Sequence, residues 1–589
     1  MSTSEETQPQ QAEIATSAAA AARAAGLSRR KFLGGVGGVA AAAMTTGGLA
    51  IEPLIRGGGA QAEDFGHDHD GPDGGEQRRN AAFRFRRDAA EFNRRLPVPD
   101  HPDNGDERRY ASKIGSYSKG LPHNSFGEVD LGAYQAMLRA LNSGDPRDFD
   151  DMILGSSSPL ARQTNPQSGL AFDLEGTDSH QLVEPAAPAL ASAEEAAEAV
   201  ELYWMALLRD VNFDDYASHP LAAAAAAELS SLPAFRGPRN TAGQVTPQTL
   251  FRDTMPGSTT GPYLSQFNIL NTPFGAEYVV RQIRTYMPGT DHLTDFPSFL
   301  NIQNGGSPSD GETFDPVRRY IRNSRDFGAF VHVDVLFQAY FNACLILITP
   351  PNPGDPLIGG GIGCPLNPGN PYLGNRTQIG FGTFGAPAIK ALMCEVASRA
   401  LKAQWFQKWY VHRRLRPEAY GGLVHVQKTF GRYPAGTLHH DILDSQTLAR
   451  VHAATGSYLL PAMFPEGSPT HPSYGSGHAT VAGACVTVLK ALFDERFVIP
   501  HPKVVSSDGL TLGDYTGPAL TVGGELNKIV SNVSQARNQS AVHWRSDAYA
   551  ANRLGQAVAI SVLRDQRAGY TENFSGFTFT GFDGERITI

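Results

Sequence analysis

Three stretches in the last third of the chain gather cations, histidines and a helix start. In WFQKWYVHRRLRPEAYGG, residues 405–422, Trp405, Lys408, His412 and Arg416 recur at helical spacing. A helix running to Pro417 would set all four on one face, and the long Lys408 and Arg416 side chains could converge although about 12 Å apart along the axis. In SPTHPSYGSGHAT, residues 468–480, Ser476 precedes an apolar run. It predicts an N-cap whose free N–H groups at 476–478 attract an anion. His471 and His478 flank that loop. In ARNQSAVHWRSDAYA, residues 536–550, His543 and Asp547 stand four apart on a predicted helix face. A carboxylate so placed orients the imidazole and decides which ring nitrogen is free. Singly, each feature has an ordinary explanation: a basic solvated face, a plain cap, a surface pair. Together Lys408, Arg416, Arg537, the Ser476 hydroxyl and the Gly477 amide make a cage of donors for a tetrahedral or trigonal-bipyramidal oxyanion, a phosphate-like group, with two histidines to act on it.

The elements that must position this cage read as mainly α. Apolar periodicity predicts helices at 131–143, 194–210, 219–231, 314–347, 385–415, 443–459, 477–494, 523–541 and 544–566. Ser192 is the expected cap of the second, with acidic residues in its first turn. Pro, Gly and Asn dominate 232–313 and 348–384, which read as long surface loops. The C-terminal FSGFTFTGFDGERITI alternates and carries Asp583-Gly584, a small β-hairpin. The 62 glycines and 40 prolines among 589 residues fit a globular protein with long loops.

Residues 1–62 read as an address. A polar leader, Ser28-Arg29-Arg30-Lys31-Phe32-Leu33, a weakly apolar Gly/Ala stretch from Gly34 to Ile51, and Ala60-Gln61-Ala62 resemble a twin-arginine export signal with its cleavage site. The expected destination is the periplasm or the medium. Removing that segment leaves 45 basic against 55 acidic residues, about −10, which disfavours nucleic acid as a partner. No later run is long and apolar enough to span a bilayer, so no membrane association is expected once the signal is removed. Residues 63–106 read as a polar, solvated arm, including His67-Asp68-His69-Asp70. The four cysteines form no C-x-x-C pair and read as buried free thiols, with a disulfide possible.

The ordered set Lys408-x7-Arg416-Pro417, Ser476-Gly477-His478 and Arg537-x5-His543-x3-Asp547 resembles the signature shared by type 2 phosphatidic-acid phosphatases, bacterial acid phosphatases and vanadium-dependent haloperoxidases. EGSPTHPSYGSGHAT (466–480), GELNKIVSNV (524–533) and YSKGLPHNSFGEV (117–129) are further similar to the algal and cyanobacterial bromoperoxidases, a resemblance running over roughly residues 80 to 589. Gly475 stands where the family usually has Pro, and Ala536 where phosphatases often have Ser. The resemblance implies a domain over 107–589 of two packed four-helix bundles, with the site in 400–550 supplied entirely by three helices of the second. It implies one vanadate per subunit, bonded by a ring nitrogen of His543 and held by Lys408, Arg416, Ser476, Gly477 and Arg537. His478 becomes the acid–base partner and Lys408 polarises bound peroxide; Trp405 and Asp547 support the site. His471 occupies a position that is Phe in the chlorinating branch and His in the brominating one. The implied reaction is oxidation of bromide and iodide by hydrogen peroxide to hypohalous acid, which halogenates a small organic acceptor, in a homodimer or larger homo-oligomer. The alternative is an acid phosphatase with His543 as nucleophile and His478 as leaving-group acid.

Overall fold

The helix from Gly477 to Leu492 forms because Ser476 caps it, its side chain accepting from Ala479 N at 3.4 Å, and because an almost unbroken apolar run follows. Every residue in it except His478 is buried. A helix apolar all round must be surrounded, and three others enclose it. In the computed structural model, which describes residues 72–352 and 360–589, the main helices are α1 (Pro72–Arg95), α2 (Leu131–Ser143), α3 (Ala193–Leu207), α4 (Pro220–Ser231), α5 (Ser324–His332), α6 (Gln338–Ile348), α7 (Ala386–Phe406), α8 (Pro417–Phe430), α9 (Gln446–Thr455), α10 (Gly477–Leu492), α11 (Val522–Gln539) and α12 (Arg545–Gly569). The central α10 packs against α12, α7 and α11, a four-helix bundle. A second group assembles around α3, which packs on α4, α9 and the short helix His440–Leu443, and on α11 of the first bundle.

The α10–α12 crossing is close enough to need glycine from both sides. A Cβ on Gly483 would lie 2.1 Å from Asn552 O, and one on Gly555 2.0 Å from Thr480 O. Gly in a helix interior costs about 0.5–1 kcal/mol relative to Ala, a cost that the intimate packing offsets. The same crossing brings the start of α10 beside the start of α12, where His478 and His543 sit.

Sheet content among the described residues is limited to two-stranded antiparallel pairs: Thr272–Phe274 with Glu277–Val279, Lys503–Val505 with Leu512–Asp514, and the C-terminal hairpin Thr578–Thr580 with Arg586–Thr588. That hairpin, the mainly α class and the buried free thiols Cys344, Cys364 and Cys485 agree with the sequence reading; Cys394 is free as expected but only partly buried. Among the described residues no helix is long and apolar enough to cross a membrane.

Four expectations change. The run 314–347 is not one helix: Phe314 bridges Tyr286, Asn323 caps α5 through Asp326 N, and residues 333–337 separate α5 from α6. The long loop 232–313 contains the strand pair Thr272–Val279 and the helices Gln266–Ile269 and Phe296–Gln303. Helix 443–459 shrinks to Gln446–Thr455, capped by Ser445 and ended by Gly456. The polar arm is helical over Pro72–Arg95; its outer face is solvated, while Arg564 of α12 donates to Asn93 Oδ1 at 2.8 Å and lies over the Phe92 ring. The export segment and His67-Asp68-His69-Asp70 lie outside the described residues.

Candidate active site

The Lys408 to Arg416 stretch does not form the single helix that its spacing suggests. After Phe406 the backbone widens into a π-turn over Gln407–His412, Arg413 takes φ 41°, and Arg414 bridges Ser116. Pro417 therefore opens α8 at its first position instead of ending the preceding helix, and Arg416 is the N-cap residue. His412 leaves the cage: its ring packs edge-on to Tyr474 at 4.7 Å and both ring nitrogens are buried without partners. Trp405 and Lys408 do remain together, Nζ lying 5.7 Å from the indole centroid. The cage thus draws on more than three helices. Lys408 comes from the π-turn, Arg416 from the start of α8, His471 from the loop before α10, Ser476, Gly477 and His478 from the start of α10, Arg537 from the end of α11, and His543 from the residues entering α12.

These residues converge through hydrogen bonds. Lys408 Nζ donates to Pro472 O and Ser473 O, both at 2.8 Å. Arg416 Nε donates to His471 O at 2.9 Å and its NH1 to Val542 O at 2.7 Å and His543 Nε2 at 3.1 Å. Because a guanidinium only donates, His543 Nε2 carries a lone pair; Nδ1 then donates to Asp547 Oδ2, 2.8 Å away. Arg416 NH2 also donates to the His471 ring, 2.8 Å from Nδ1 and 3.2 Å from Nε2, and Nδ1 lies 3.1 Å from Pro472 O. Arg537 NH1 donates to Val331 O at 2.9 Å, and its Nε is buried with no partner. His478 Nε2 bonds Asp334 Oδ1 at 3.0 Å.

Burial leaves the cage short of negative charge. Lys408 is fully buried and lies well below its usual range, first through desolvation and then through Arg416. Desolvation pushes Arg416 and Arg537 each down to about 10, and it holds His543 and His471 well below ordinary histidine values, Arg416 and Lys408 adding to the effect. Buried cations without matching carboxylates mark a place for an anion. The unpartnered Arg537 Nε, the free N–H groups at the start of α10 and the His543 Nε2 lone pair match an oxyanion that also accepts one nitrogen ligand, and vanadate meets that description.

The sequence reading missed the frame around the cage. Asp547 accepts from His543, Ser473 Oγ, Trp544 N and Arg414 NH1. Arg414 also donates to Glu195 and Glu198 of α3. Three carboxylates on one guanidinium would be two charges in excess, and burial raises Glu195 to about 8 and Glu198 to about 7, so one carboxyl stays protonated near neutrality. Burial opposes the charge on Arg414, but Glu195, Asp547 and Glu198 hold its affinity for a proton above the ordinary value. The acidic residues at the start of α3 read as helix-dipole partners; the surplus arginine in RRLRP was the available signal. Gly475 also gains a reason: a Cβ there would lie 2.6 Å from Glu184 Oε1 and 3.0 Å from Ala551 Cβ, so no proline fits.

A bundle whose helix starts enclose an anion cage that includes the His543 lone-pair nitrogen defines an oxyanion-binding protein. A family model described as the VCPO second helical-bundle domain matches residues 397–569, the span holding all of these cage residues. The vanadium-dependent bromoperoxidase of Corallina officinalis is 38% identical over 569 residues, covering 83% of this chain and 92% of that protein. The vanadium-dependent bromoperoxidase of Ascophyllum nodosum is 34% identical, covering 80% and 86%. The solved homohexameric structure of the second vanadate-dependent bromoperoxidase (AnII) from Ascophyllum nodosum superposes with a TM-score of 0.80 at 31% identity, over 86% of this chain and 90% of that one. The chain belongs to the vanadium-dependent bromoperoxidase family.

Proposed function

We infer that this chain is a vanadate-dependent haloperoxidase that oxidises bromide, and iodide more readily, with hydrogen peroxide. The observation that carries the reading is the His543 Nε2 lone pair inside a cage of buried cations, because a phosphate needs the cations but not the nitrogen. His543 Nε2 would ligate vanadium, and Lys408, Arg416, Arg537, Ser476 Oγ and the Gly477 N–H would hold the oxygens of vanadate. When bound, vanadate would supply Lewis acidity for the oxidation of halide by peroxide. Asp334 takes the Nε2 proton of His478 in its hydrogen bond, which leaves Nδ1 as the atom that exchanges protons with the reacting oxygen. Lys408, held in place by two carbonyls, directs its remaining N–H toward the developing negative charge. In sum, bromide loses two electrons, peroxide gains them, and one proton is consumed to give hypobromous acid and water. The test is bromination of a phenol dye with bromide and peroxide before and after adding orthovanadate, with phosphate as competitor; a phosphatase would instead hydrolyse a phosphomonoester without vanadate.

His471 tunes the halide step. It is buried and neutral, its ring 4.8 Å from that of Trp405 and hydrogen-bonded by Arg416 NH2. His471→Ala is expected to lower bromide turnover far more than iodide turnover, iodide being easier to oxidise, and to leave vanadate affinity within a few-fold. Steady-state rates for the three halides decide it: equal losses for bromide and iodide, or efficient chlorination by the wild type, remove His471 from the mechanism.

Export and assembly complete the reading. Arg29 and Arg30 precede a weakly apolar core suited to translocation of a folded, cofactor-loaded protein. Replacing both by Lys is expected to trap precursor in the cytoplasm; mature protein beginning near Glu63 in the periplasm of the double variant overturns it. The homohexameric relative supports a homo-oligomer.

A further inference from the structure

Val333 and Asp334, between α5 and α6, form part of one wall of a cavity of about 330 Å³, within the ~300–1,000 Å³ typical of small-molecule sites. Three arginines line it: Arg281, Arg284 and Arg318. None makes an ion pair among the described residues. Arg281 is the unusual one. It is buried, its Nε donates only to Asn268 O at 3.4 Å, and desolvation alone pushes it down to about 10. A desolvated guanidinium that no carboxylate pairs with is satisfied by an anion from outside. The aromatic rings are placed beside the charges, with Arg284 3.6 Å from the Phe314 centroid and Arg281 5.4 Å from that of Phe330. The wall also holds Asp334, whose side chain is 4% exposed: Oδ1 bonds His478, and Oδ2 is buried with no partner. A carboxylate oxygen only accepts, so it calls for a hydroxyl or N–H donor.

We propose that this cavity binds the organic acceptor, and that the acceptor is an aromatic or conjugated acid carrying a hydroxyl: its acid group on Arg281, Arg284 and Arg318, its ring against Phe314 and Phe330, its hydroxyl on Asp334 Oδ2. The inference rests on the peroxidase reading for its consequence but not for its binding chemistry. A hydroxyl-bearing ring is the electron-rich acceptor that hypobromous acid attacks. The ring carbon's electron pair forms the C–Br bond as Br–O breaks, and the ring proton leaves with the hydroxide as water. A single carboxylate separates the cavity from His478, so halogen released at the cage meets an acceptor already held.

The test is calorimetric titration of the full-length, vanadate-loaded protein with 4-hydroxybenzoate, 4-hydroxybenzamide and 4-methoxybenzoate. The acid is expected to bind at least about tenfold more tightly than the neutral amide, and more tightly than the methoxy acid, which lacks the donor. Arg284→Gln, at an exposed position, and Arg281→Gln are each expected to weaken 4-hydroxybenzoate by about tenfold while leaving bromide oxidation without organic acceptor unchanged. Equal affinity for acid and amide, or affinity unmoved by both substitutions, overturns the proposal. So does dissociation of the assembly by Arg284→Gln, which would assign the cavity to contact between copies. Wild-type protein that binds the acid but oxidises no bromide with vanadate present sinks the peroxidase reading and leaves the site standing.

Discussion

His543→Ala is expected to abolish bromide oxidation, and millimolar vanadate should not restore it. Lys408, Arg416, Arg537, Ser476 and Gly477 supply charge or an N–H or O–H, and those interactions serve phosphate as well as vanadate; the His543 imidazole supplies a directional lone pair. That lone pair is prepared before any anion arrives. Asp547 takes the Nδ1 proton at 2.8 Å, and desolvation together with Arg416 and Lys408 keeps the ring neutral, so Nε2 is available across the working pH range. Losing an outer partner of a metal ligand costs ~10–100-fold in affinity, so losing the ligand itself should exceed that. The fold should survive, because Asp547 keeps Arg414, Ser473 and the Trp544 N–H as partners. Two readouts separate the causes: turnover against added vanadate, and vanadium retained after desalting by elemental analysis. Wild-type turnover recovered at high vanadate would mean that the nitrogen ligand lies elsewhere.

The cage was legible in the sequence because its members belong to local patterns. Ser476 before an apolar run is a cap signal, and the structure uses it as one. The i, i+4 pairing of His543 with Asp547 survives although His543 lies before the first turn of α12, because Asp547 at the third helical position also accepts from Trp544 N. Where the reading failed, the cause was backbone geometry that residue spacing does not carry. Lys408, His412 and Arg416 look like one helical face, but the π-turn and the positive φ of Arg413 turn His412 away and return Arg416 by another path. Pro417 fits a helix end and a helix start equally well, and only the following apolar residues of α8 decide between them.

The surrounding frame was hidden for a different reason. Glu195 and Glu198 meet Arg414 across 216 or more positions of chain, and Asp334 meets His478 across 144. Nothing local in AEEAAEAV tells a buried counter-charge from a solvated first turn. What could be read was an imbalance, since three arginines in RRLRP exceed what one anion requires. The structure sorts them: Arg413 pairs with Glu107, Arg414 with α3 and Asp547, and Arg416 alone enters the cage.

Asp547→Asn is expected to weaken vanadate binding by ~10–100-fold while leaving turnover at saturating vanadate largely intact. The amide must point its NH2 either at Arg414 or at the side occupied by His543, Ser473 and the Trp544 N–H. Toward Arg414 it would set a donor against a buried guanidinium. Toward the other side the conflict is smaller, because the Ser473 hydroxyl can rotate to accept and His543 can move its proton to Nε2, leaving the Trp544 N–H opposed and the Nε2–H facing Arg416 NH1, which keeps Val542 O as an acceptor. The second arrangement wins, and it places a hydrogen on the atom that must ligate vanadium. Vanadate can still bind when the tautomer reverts, so affinity falls before capacity does, unlike the loss in His543→Ala. The stability change should be modest, about 1–3 kcal/mol for one mispaired donor, less than the ~3–5 kcal/mol typical of a broken buried pair. The reason lies in α3: with Asp547 neutral, the carboxyl that burial holds protonated among Glu195 and Glu198 can ionise and restore the charge opposite Arg414. Activity titrated against vanadate, with melting temperature on the same samples, tests both halves. Unchanged vanadate affinity would show that Asp547 does not set the His543 tautomer, and a collapse in melting temperature would show that Glu195 and Glu198 cannot take over its charge.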